Sequence, residues 1–359
     1  MIKIENNHYM GLDILRIISA LIVLFSHIVI SNNYLDENEK INAYIIASIG
    51  VEIFFCLSGF LICRQGIFVL NNKDKIIYNF FCFIARRIMR TWPAYFFVLL
   101  CFVVFYKNYT SEIISYMLFI QNLYYPLVSS NFFEVSWSIT VEEIFYIVFP
   151  LILVITYKFI PFAQNRIKKD KLVLMVCIFI VLTILTTKFF MYSEDWGAEV
   201  RRVAILRLDA IAIGGVSYYI FMKYKNISYF YTLNYLVFFL SFLLAFLFLH
   251  SIANIDKNIS LLIKNLTLFL LSLSGASLVI IFSKIKETYY LKSNLFLFLA
   301  NLAYPIYLSH TLIIDLVIRL GVEGLVWQLF FVTLTVFLVS LSIRHIIEKP
   351  IIKKRPNYA

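Results

Sequence analysis

The sequence is poor in charged residues. Only 15% of its 359 residues are Asp, Glu, Lys or Arg, whereas 62% are hydrophobic, and the mean hydropathy is +0.85. A soluble globular domain has about 25% charged and about 45–50% apolar residues, so this composition excludes a soluble protein. No polar stretch is long enough for a separate soluble domain. We therefore predict a polytopic membrane protein that forms a single domain over residues 1–359.

The sequence also lacks the signals of metal sites, disulfides and repeats. Its five cysteines occur singly in or beside apolar runs, without metal-ligand spacing and without an obvious pairing. We predict that they fill apolar space and that the chain binds no metal. The N-terminal region has an apolar core but no small-residue cleavage signal, so we expect it to persist as the first span. No internal repeat is present.

The net charge of +11, from 32 basic and 21 acidic residues, could indicate a nucleic-acid partner. The basic residues, however, collect in short segments between apolar runs, which is the pattern that sets the topology of membrane proteins. We therefore expect contact with membrane lipid and no binding of nucleic acid.

Ten apolar segments have about the length that a crossing helix needs, roughly 20 residues. With basic segments placed inside, both termini are predicted to be cytoplasmic and the fold to be an all-α bundle of about ten transmembrane helices. The predicted spans are about 11–30, 44–63, 91–106, 137–157, 172–191, 206–222, 229–249, 261–282, 295–318 and 326–343.

One further apolar stretch, Ile113 to Leu123, is too short to be assigned as a span. If it crossed, the basic residues from Arg166 to Lys171 would lie outside, against the positive-inside rule. We predict that Asn108 to Val135 is an outer segment that enters the membrane without crossing it. Such backbone is tolerated only where protein buries it or where it lines a wet cavity.

The first span carries two ionisable residues of interest, Arg16 and His27. They are separated by about 16 Å along a helix and project within roughly 20° of each other. An ionisable group inside a membrane is a functional hypothesis by default. The alternative is that Arg16 extends to the headgroups and His27 caps the outer end.

The predicted topology sorts the other unusual residues into two layers. The outer half holds groups suited to acid–base chemistry, and the inner half holds arginines suited to binding a polyanion. The outer group comprises His27, Glu52, Glu142, Glu143 and His310, with Arg207 and Asp209 opening the sixth span; the inner group comprises Arg16, Arg64, Arg86, Arg87 and Arg90.

Each of these residues also has a structural interpretation. Glu143 and Glu52 could be carboxylates paired with a nearby cation, and His310 could simply hydrogen-bond a neighbouring helix. The inner arginines could be topology anchors, although Arg87 and Arg90 are spaced to share one helix face. The sequence Ser58-Gly59-Phe60 is typical of close helix packing through small residues.

Seven motifs occur in order between residues 11 and 350: LDILR with His27 beyond it, GVEIFFCLSGFLI, RRIMRTWPAY, WSITVEEIFY, RLDAIAIG, YPIYLSH and EKP. Together they resemble the acyltransferase-3 family of bacterial membrane acyltransferases over nearly the whole chain. The departures from the family pattern are Glu52 for a commoner aspartate, Ile144 for a frequent glutamine, Ile14 for glycine and Ala303 for serine. They bear on substrate detail rather than on activity.

The resemblance implies a multi-pass protein of the bacterial cytoplasmic membrane that transfers an acyl group, usually acetyl. The donor would be cytoplasmic acetyl-CoA, used as a substrate without a bound cofactor. The acceptor would be a sugar hydroxyl of a surface or exported glycan, such as O-antigen, capsule or a lipid-linked oligosaccharide. Functional residues of the family match Arg16, His27, Arg87, Arg90 and Glu142. Some members carry an appended hydrolase-like domain, which we do not expect here.

The sequence-based hypothesis is that Arg87 and Arg90, with Arg16, bind the CoA phosphates. His27, oriented or made more basic by Glu142, would act as general base or would carry the acyl group covalently. Glu52, Glu143, Arg207 and His310 would support the site. A glycan or acyl-precursor exporter is the competing class, because ionisable residues within spans also mark transport pathways. A third functional class is an inactive scaffold for a glycan-synthesis complex.

Overall fold

In the computed structural model, the described residues are 9–70, 72–107, 112–125, 127, 132–159, 167–191, 197–254, 260–285 and 293–358. These residues form helices joined by turns and contain no β-strand. The all-α fold class is thus confirmed.

Ten described helices are long and apolar enough to cross a membrane, which confirms the predicted number of spans. In chain order the helices are α1 (Met10–Ile30), α2 (Glu37–Val69), α3 (Ile76–Tyr106), α4 (Ile113–Met117), α5 (Ser136–Phe159), α6 (Lys169–Phe190), α7 (Leu208–Tyr224), α8 (Phe230–Asn254), α9 (Leu261–Phe282), α10 (Ser293–Arg319), α11 (Leu325–Ser342) and α12 (Lys349–Ile352).

Two helices are much longer than their predicted spans. α2 begins at Glu37, where Asp36 and Glu39 form a reciprocal capping box, rather than near Tyr44. α3 begins at Ile76 rather than near Thr91, so Arg86, Arg87 and Arg90 lie within this helix. Hydropathy identifies only the apolar part of a helix, so it does not predict polar helical turns that extend beyond the membrane-spanning part.

The stretch predicted to enter without crossing contains the five-residue helix α4 and turns in its described part. Its polar residues Gln121 and Asn122 are buried, and both bind the bundle: Gln121 donates to Thr140 Oγ1 at 2.7 Å. Asn122 donates to the carbonyl of Arg202, also at 2.7 Å. Protein acceptors thus bind both amide nitrogens of this buried non-helical segment, whereas Gln121 Oε1 and Asn122 Oδ1 have no hydrogen-bond partner among the described residues. Asn108 and residues 128–131 lie outside the described residues.

The helix α2 packs at the centre of the bundle, where its backbone approaches α7 very closely. A Cβ on Gly59 would lie 1.8 Å from the carbonyl oxygen of Ile211, and a Cβ on Gly214 would lie 2.1 Å from that of Cys56. No larger residue fits at these positions without moving a helix. The close packing predicted from Ser58-Gly59-Phe60 is confirmed at Gly59.

The last helical region returns the chain to α3. A π-helical turn, Ile343–Glu348, continues α11 into α12. The residues that follow α12 lie against α3, where Arg86 Nη1 donates to the carbonyl of Pro356 at 2.7 Å. The beginning of α3 and the end of the chain therefore occupy the same end of the bundle.

We expect Lys107 and Tyr124, which flank α4, to lie together on the outer side of the membrane. In a chain whose native cysteines are replaced by serine, Lys107→Cys and Tyr124→Cys should each react with an impermeant maleimide in intact cells. Lys353→Cys, at the opposite end, is the control and should react only after the membrane is opened. Labelling of the first two from opposite sides would contradict the ten-span topology.

Candidate functional site

A narrow cavity of about 80 Å³ lies between α1, α2, α3, α5 and α10. Its lining combines three arginines with a carboxylate and several hydroxyl groups, which is an unusual concentration of polar groups inside an apolar bundle. The polar residues that line it are Arg16, Ser58, Arg87, Arg90, Thr91, Ser138, Glu142, Tyr146, Tyr304 and Tyr307.

Two hydroxyl groups fix the carboxylate of Glu142 in this cavity. Ser58 donates to its Oε1 at 2.7 Å, and the phenol of Tyr146 donates to its Oε2 at 2.6 Å. Tyr146 follows Glu142 by four residues, so both side chains project from one face of α5. The arrangement holds Glu142 as a hydrogen-bond acceptor that faces the arginines.

The cavity has more positive than negative charge. Arg16 makes a 3.4 Å ion pair with Asp13 one turn earlier on α1. Arg87 is buried with its guanidinium 5.2 Å from the ring of Tyr146, and its Nε has no hydrogen-bond partner among the described residues. Buried guanidinium N–H groups without partners favour an anion that brings acceptor oxygens.

Near the C-terminal end of α1, His27 packs edge-to-face against His310 of α10, with ring centroids 4.9 Å apart. His27 Nδ1 lies 2.9 Å from the carbonyl of Val23, and His310 Nδ1 lies 2.8 Å from that of Tyr307. A carbonyl only accepts, so Nδ1 must carry the proton in each ring. In the neutral rings, Nε2 is then the nitrogen with the lone pair, which is what a base requires.

Tyr307 stands between the cavity and the histidine pair. It lines the cavity, and its ring centroid is 5.7 Å from that of His310. Its hydroxyl shares a 2.6 Å hydrogen bond with Ser138, and its ring packs on Phe54. The arginines, Tyr307 and the two histidines thus form a continuous series from one end of the bundle towards the other.

The structure does not join His27 to Glu142. Within the described residues, no hydrogen bond links them, since Glu142 is bound by Ser58 and Tyr146 and His27 is bound by Val23. His27 does not line the cavity, whereas Glu142 does. Similar depth in the membrane does not make two helices neighbours: α1 packs on α2 and α10, and α10 supplies the ring beside His27.

The other predicted supporting residues lie in structural contacts. Glu52 forms an ion pair with the fully buried Arg207 and accepts a 2.9 Å hydrogen bond from Ser272. Glu143 accepts a 3.0 Å hydrogen bond from the indole of Trp92 on α3. Neither carboxylate lines the cavity.

Beside Glu52 lies a second ion pair that the sequence reasoning missed. Lys188, at the end of α6, donates to Asp209 of α7 at 2.7 Å, and both side chains are 1% exposed. The signal was a lysine inside an apolar span, which normally marks a buried partner. Ser58, Tyr146 and Tyr307 were also missed, although the spacing of Tyr146 from Glu142 could have indicated a pair.

At the same end of the bundle as His27, Arg201 donates to Ser48 at 2.6 Å and lies 5.8 Å from the ring of Trp137. Burial and the neighbouring Arg202 and Arg207 lower the pKa of Arg201 to about 10. Arg202 in turn pairs with Glu134 at 3.5 Å. Glu134 and Arg201 are also within electrostatic range of His27. Polar and aromatic groups therefore lie close to the histidine pair at this end of the bundle.

No group of three or more potential metal ligands from His, Cys, Asp and Glu occurs in the part of the chain that the structure describes. The cysteines are all free thiols, but two of them are closer than their spacing suggests. The sulfur atoms of Cys63 and Cys177 lie 3.3 Å apart as a buried thiol hydrogen bond between α2 and α6.

A family model described as an acyltransferase domain matches residues 9–345. A Bacillus subtilis (strain 168) protein, provisionally named a peptidoglycan O-acetyltransferase, is 27% identical over 201 residues, which make up 51% of this chain and 30% of that protein. A Staphylococcus aureus (strain MSSA476) protein, provisionally named an O-acetyltransferase, is 28% identical over 172 residues, 42% of this chain and 26% of that protein.

An uncharacterised Haemophilus influenzae protein is 28% identical over 157 residues, which are 39% of this chain and 60% of that protein. The chain therefore covers less than two thirds of the length of each of these relatives. No solved structure matches the chain.

We expect Lys188→Met to destabilise the protein strongly, because it leaves the carboxylate of Asp209 buried and unpaired. Breaking one side of a buried ion pair costs about 3–5 kcal/mol. The measurement is the apparent Tm of the purified protein in detergent. Thr187→Met, an exposed neighbour on the same helix, is the matched control and should leave the Tm nearly unchanged. Equal Tm values for both variants would show that the pair does not stabilise the fold.

Proposed function

Since the chain belongs to the acyltransferase family, we propose that it is a membrane O-acyltransferase that moves an acyl group from cytoplasmic acyl-CoA to a sugar hydroxyl of a surface or exported polysaccharide. The observation that carries the proposal is the series of side chains that leads from the arginine-lined cavity, through Tyr307, to the paired histidines. The names of the relatives favour acetyl as the acyl group.

At the inner end, Arg16, Arg87 and Arg90 bind the phosphates of the donor by charge-assisted hydrogen bonds. Their support is the excess of positive charge in the cavity and the unpartnered, buried Nε of Arg87. Glu142 holds Tyr146 under the guanidinium of Arg87 and so positions this end of the site. In this proposal Glu142 acts on the donor site rather than on His27.

The donor must widen the cavity as it binds. A volume of about 80 Å³ has room for a few water molecules but not for a pantetheine arm. Tyr307 is the side chain placed to move, because it separates the cavity from His310 and its hydroxyl is held chiefly by Ser138. Its displacement would open a path from the arginines to the histidines.

At the outer end, His27 takes the proton of the sugar hydroxyl on Nε2 as that oxygen attacks the acyl carbon. The oxygen–carbon bond forms, the carbon–sulfur bond breaks, and the proton passes from His27 to the departing thiolate. In the relay form, Nε2 attacks the acyl carbon and the carbon–sulfur bond breaks, so that the CoA thiolate departs. The sugar oxygen then attacks the same carbon, the carbon–nitrogen bond breaks, and the hydroxyl proton passes to the freed Nε2. Both forms use the same nitrogen, which the Val23 hydrogen bond leaves deprotonated in the neutral ring.

We expect His27→Ala to lower the rate of glycan acylation at least a hundredfold, because general-base catalysis is worth about 10²- to 10⁴-fold. The measurement is acyl transfer from radiolabelled acetyl-CoA to the host glycan in membranes. CoA binding should persist, since the arginines are at the other end of α1. His250→Ala, an exposed histidine of α8, is the control. A well-folded His27→Ala protein with near-normal transfer would reject His27 as the base.

We expect Arg87→Ala and Arg90→Ala each to weaken CoA binding about ten- to a hundredfold, since a charged hydrogen bond contributes about 1.5–3 kcal/mol. Lysine should restore only part of the affinity because it lacks the planar fork of arginine. Isothermal titration of CoA into purified protein measures the effect. The control is Lys223→Ala, which removes a basic residue elsewhere at the same end of the bundle. If Arg87→Ala and Arg90→Ala bind CoA as tightly as this control, the two arginines act only as topology anchors.

A further inference from the structure

The chain after α12 folds back onto α3 and packs there through specific contacts. We call residues 353–358 the tail segment. Arg86 donates to the carbonyl of Pro356 at 2.7 Å, and the thiol of Cys82 donates to the carbonyl of Asn357 at 3.4 Å. The ring of Tyr358 stacks on Phe68 of α2, with centroids 6.0 Å apart. The tail segment is therefore attached to α2 and to α3, the helix that carries Arg87 and Arg90.

This attachment brings Arg355 into the arginine group of α3. The guanidinium of Arg355 lies within electrostatic range of Arg86, Arg87 and Arg90 and also of Arg344. Burial, with these four positive neighbours, lowers the pKa of Arg355 to about 10. Bringing like charges together in this way destabilises the folded chain unless an opposite charge offsets their repulsion.

The neighbouring carboxylates offset this repulsion only in part: Glu348 lies within electrostatic range of Arg90 and Arg355, and Glu142 lies within range of Arg87. Glu348 is buried in the same region, but its Oε2 accepts the 2.9 Å hydrogen bond of Arg344. Glu142 is bound by two hydroxyl groups in the cavity. No described carboxylate makes an ion pair within 4.0 Å with Arg86, Arg87, Arg90 or Arg355.

Arg355 also differs from its basic neighbours in the tail segment. Lys353 and Lys354 are exposed, as expected of residues that only mark the cytoplasmic side. Arg355 is partly buried, and its Nε and Nη2 are fully buried without a hydrogen-bond partner among the described residues. Buried N–H groups of a guanidinium are costly when left unpaired, so they indicate a ligand with acceptor oxygens.

We propose that Arg355 is an additional phosphate-binding residue, brought by the tail segment to the inner mouth of the cavity, and that it binds the nucleotide end of acyl-CoA. The inference rests on the proposed function. Arg90 connects the two parts of the site, since it lines the cavity and lies within electrostatic range of both Arg16 and Arg355. The phosphates of CoA, at one end of a long thin arm, match an arginine group at the mouth of a narrow cavity.

The test compares Arg355→Ala with Lys354→Ala, which removes the same charge from the adjacent, exposed position. The full-length chain is purified in neutral-lipid nanodiscs, and CoA affinity is measured by isothermal titration. We expect Arg355→Ala to bind CoA about ten- to a hundredfold more weakly and Lys354→Ala to bind within about twofold of the unmodified chain. Arg355→Gln, of similar volume, should show the same loss and guards against a packing effect.

A phosphate ligand could also come from an anionic lipid headgroup, and a second arm separates the two sources. The same variants are placed in nanodiscs with phosphatidylglycerol, and retained lipid is counted by native mass spectrometry. Loss of lipid from Arg355→Ala with unchanged CoA affinity would overturn the assignment to the donor. CoA affinity that is equal in Arg355→Ala and Lys354→Ala would overturn it as well.

Arg87→Ala distinguishes failure of this inference from failure of the proposed function. If Arg87→Ala loses CoA affinity while Arg355→Ala keeps it, the donor site stands without Arg355 and the inference is wrong. If the unmodified chain itself does not bind CoA, the proposed donor is wrong, and the inference falls with it. Loss in both variants, with Lys354→Ala unaffected, is the result that supports both.

Discussion

Charge buried in an apolar bundle must be neutralised or used, and this constraint divides the ionisable residues of the chain into two sets. In one set the charges are paired: Arg207 with Glu52, and Lys188 with Asp209. The groups at the arginine-lined cavity form the other set, in which three arginines face one carboxylate. Buried guanidinium N–H groups without a partner occur in both sets, at Arg207 and at Arg87, so the excess of positive charge is what distinguishes the cavity. The first set fits a structural role, and the second fits a site for an anionic ligand.

The central helix α2 keeps these two sets apart. One face of α2, which includes Phe54 and Ser58, lines the cavity. Another face carries Glu52 and Gly59 towards α7 and α9, where Glu52 meets Arg207 and Gly59 touches the backbone of α7. Because the backbones of α2 and α7 are in direct contact, neither helix can shift towards the other without a steric clash. The ion pair of Glu52 with Arg207 thus helps to fix α2, the helix that forms one side of the cavity.

Hydropathy and charge placement were enough to predict the all-α class and the ten spans, because both depend on each segment's own composition. They also identified ionisable residues within the spans as candidates for a site, but they did not indicate which of these side chains contact one another. Glu142 was expected beside His27, whereas it binds Ser58 and Tyr146, and His27 meets His310 instead. Depth in the membrane follows from position along a helix; neighbours follow from tertiary packing, which a single sequence does not encode in any local pattern.

The orientation of the histidine pair shows what packing adds to chemistry. Composition alone makes His27 a titratable group near neutral pH, with two equivalent nitrogens as candidates. The carbonyl of Val23, one turn earlier on the same helix, accepts a hydrogen bond from Nδ1–H, which leaves Nε2 as the basic atom of the neutral ring. His310 is fixed in the same sense by Tyr307, the residue that also bounds the cavity. Tyr307 thus contacts the cavity through its side chain and His310 through its backbone carbonyl, so one residue bounds the cavity and orients the ring beside His27.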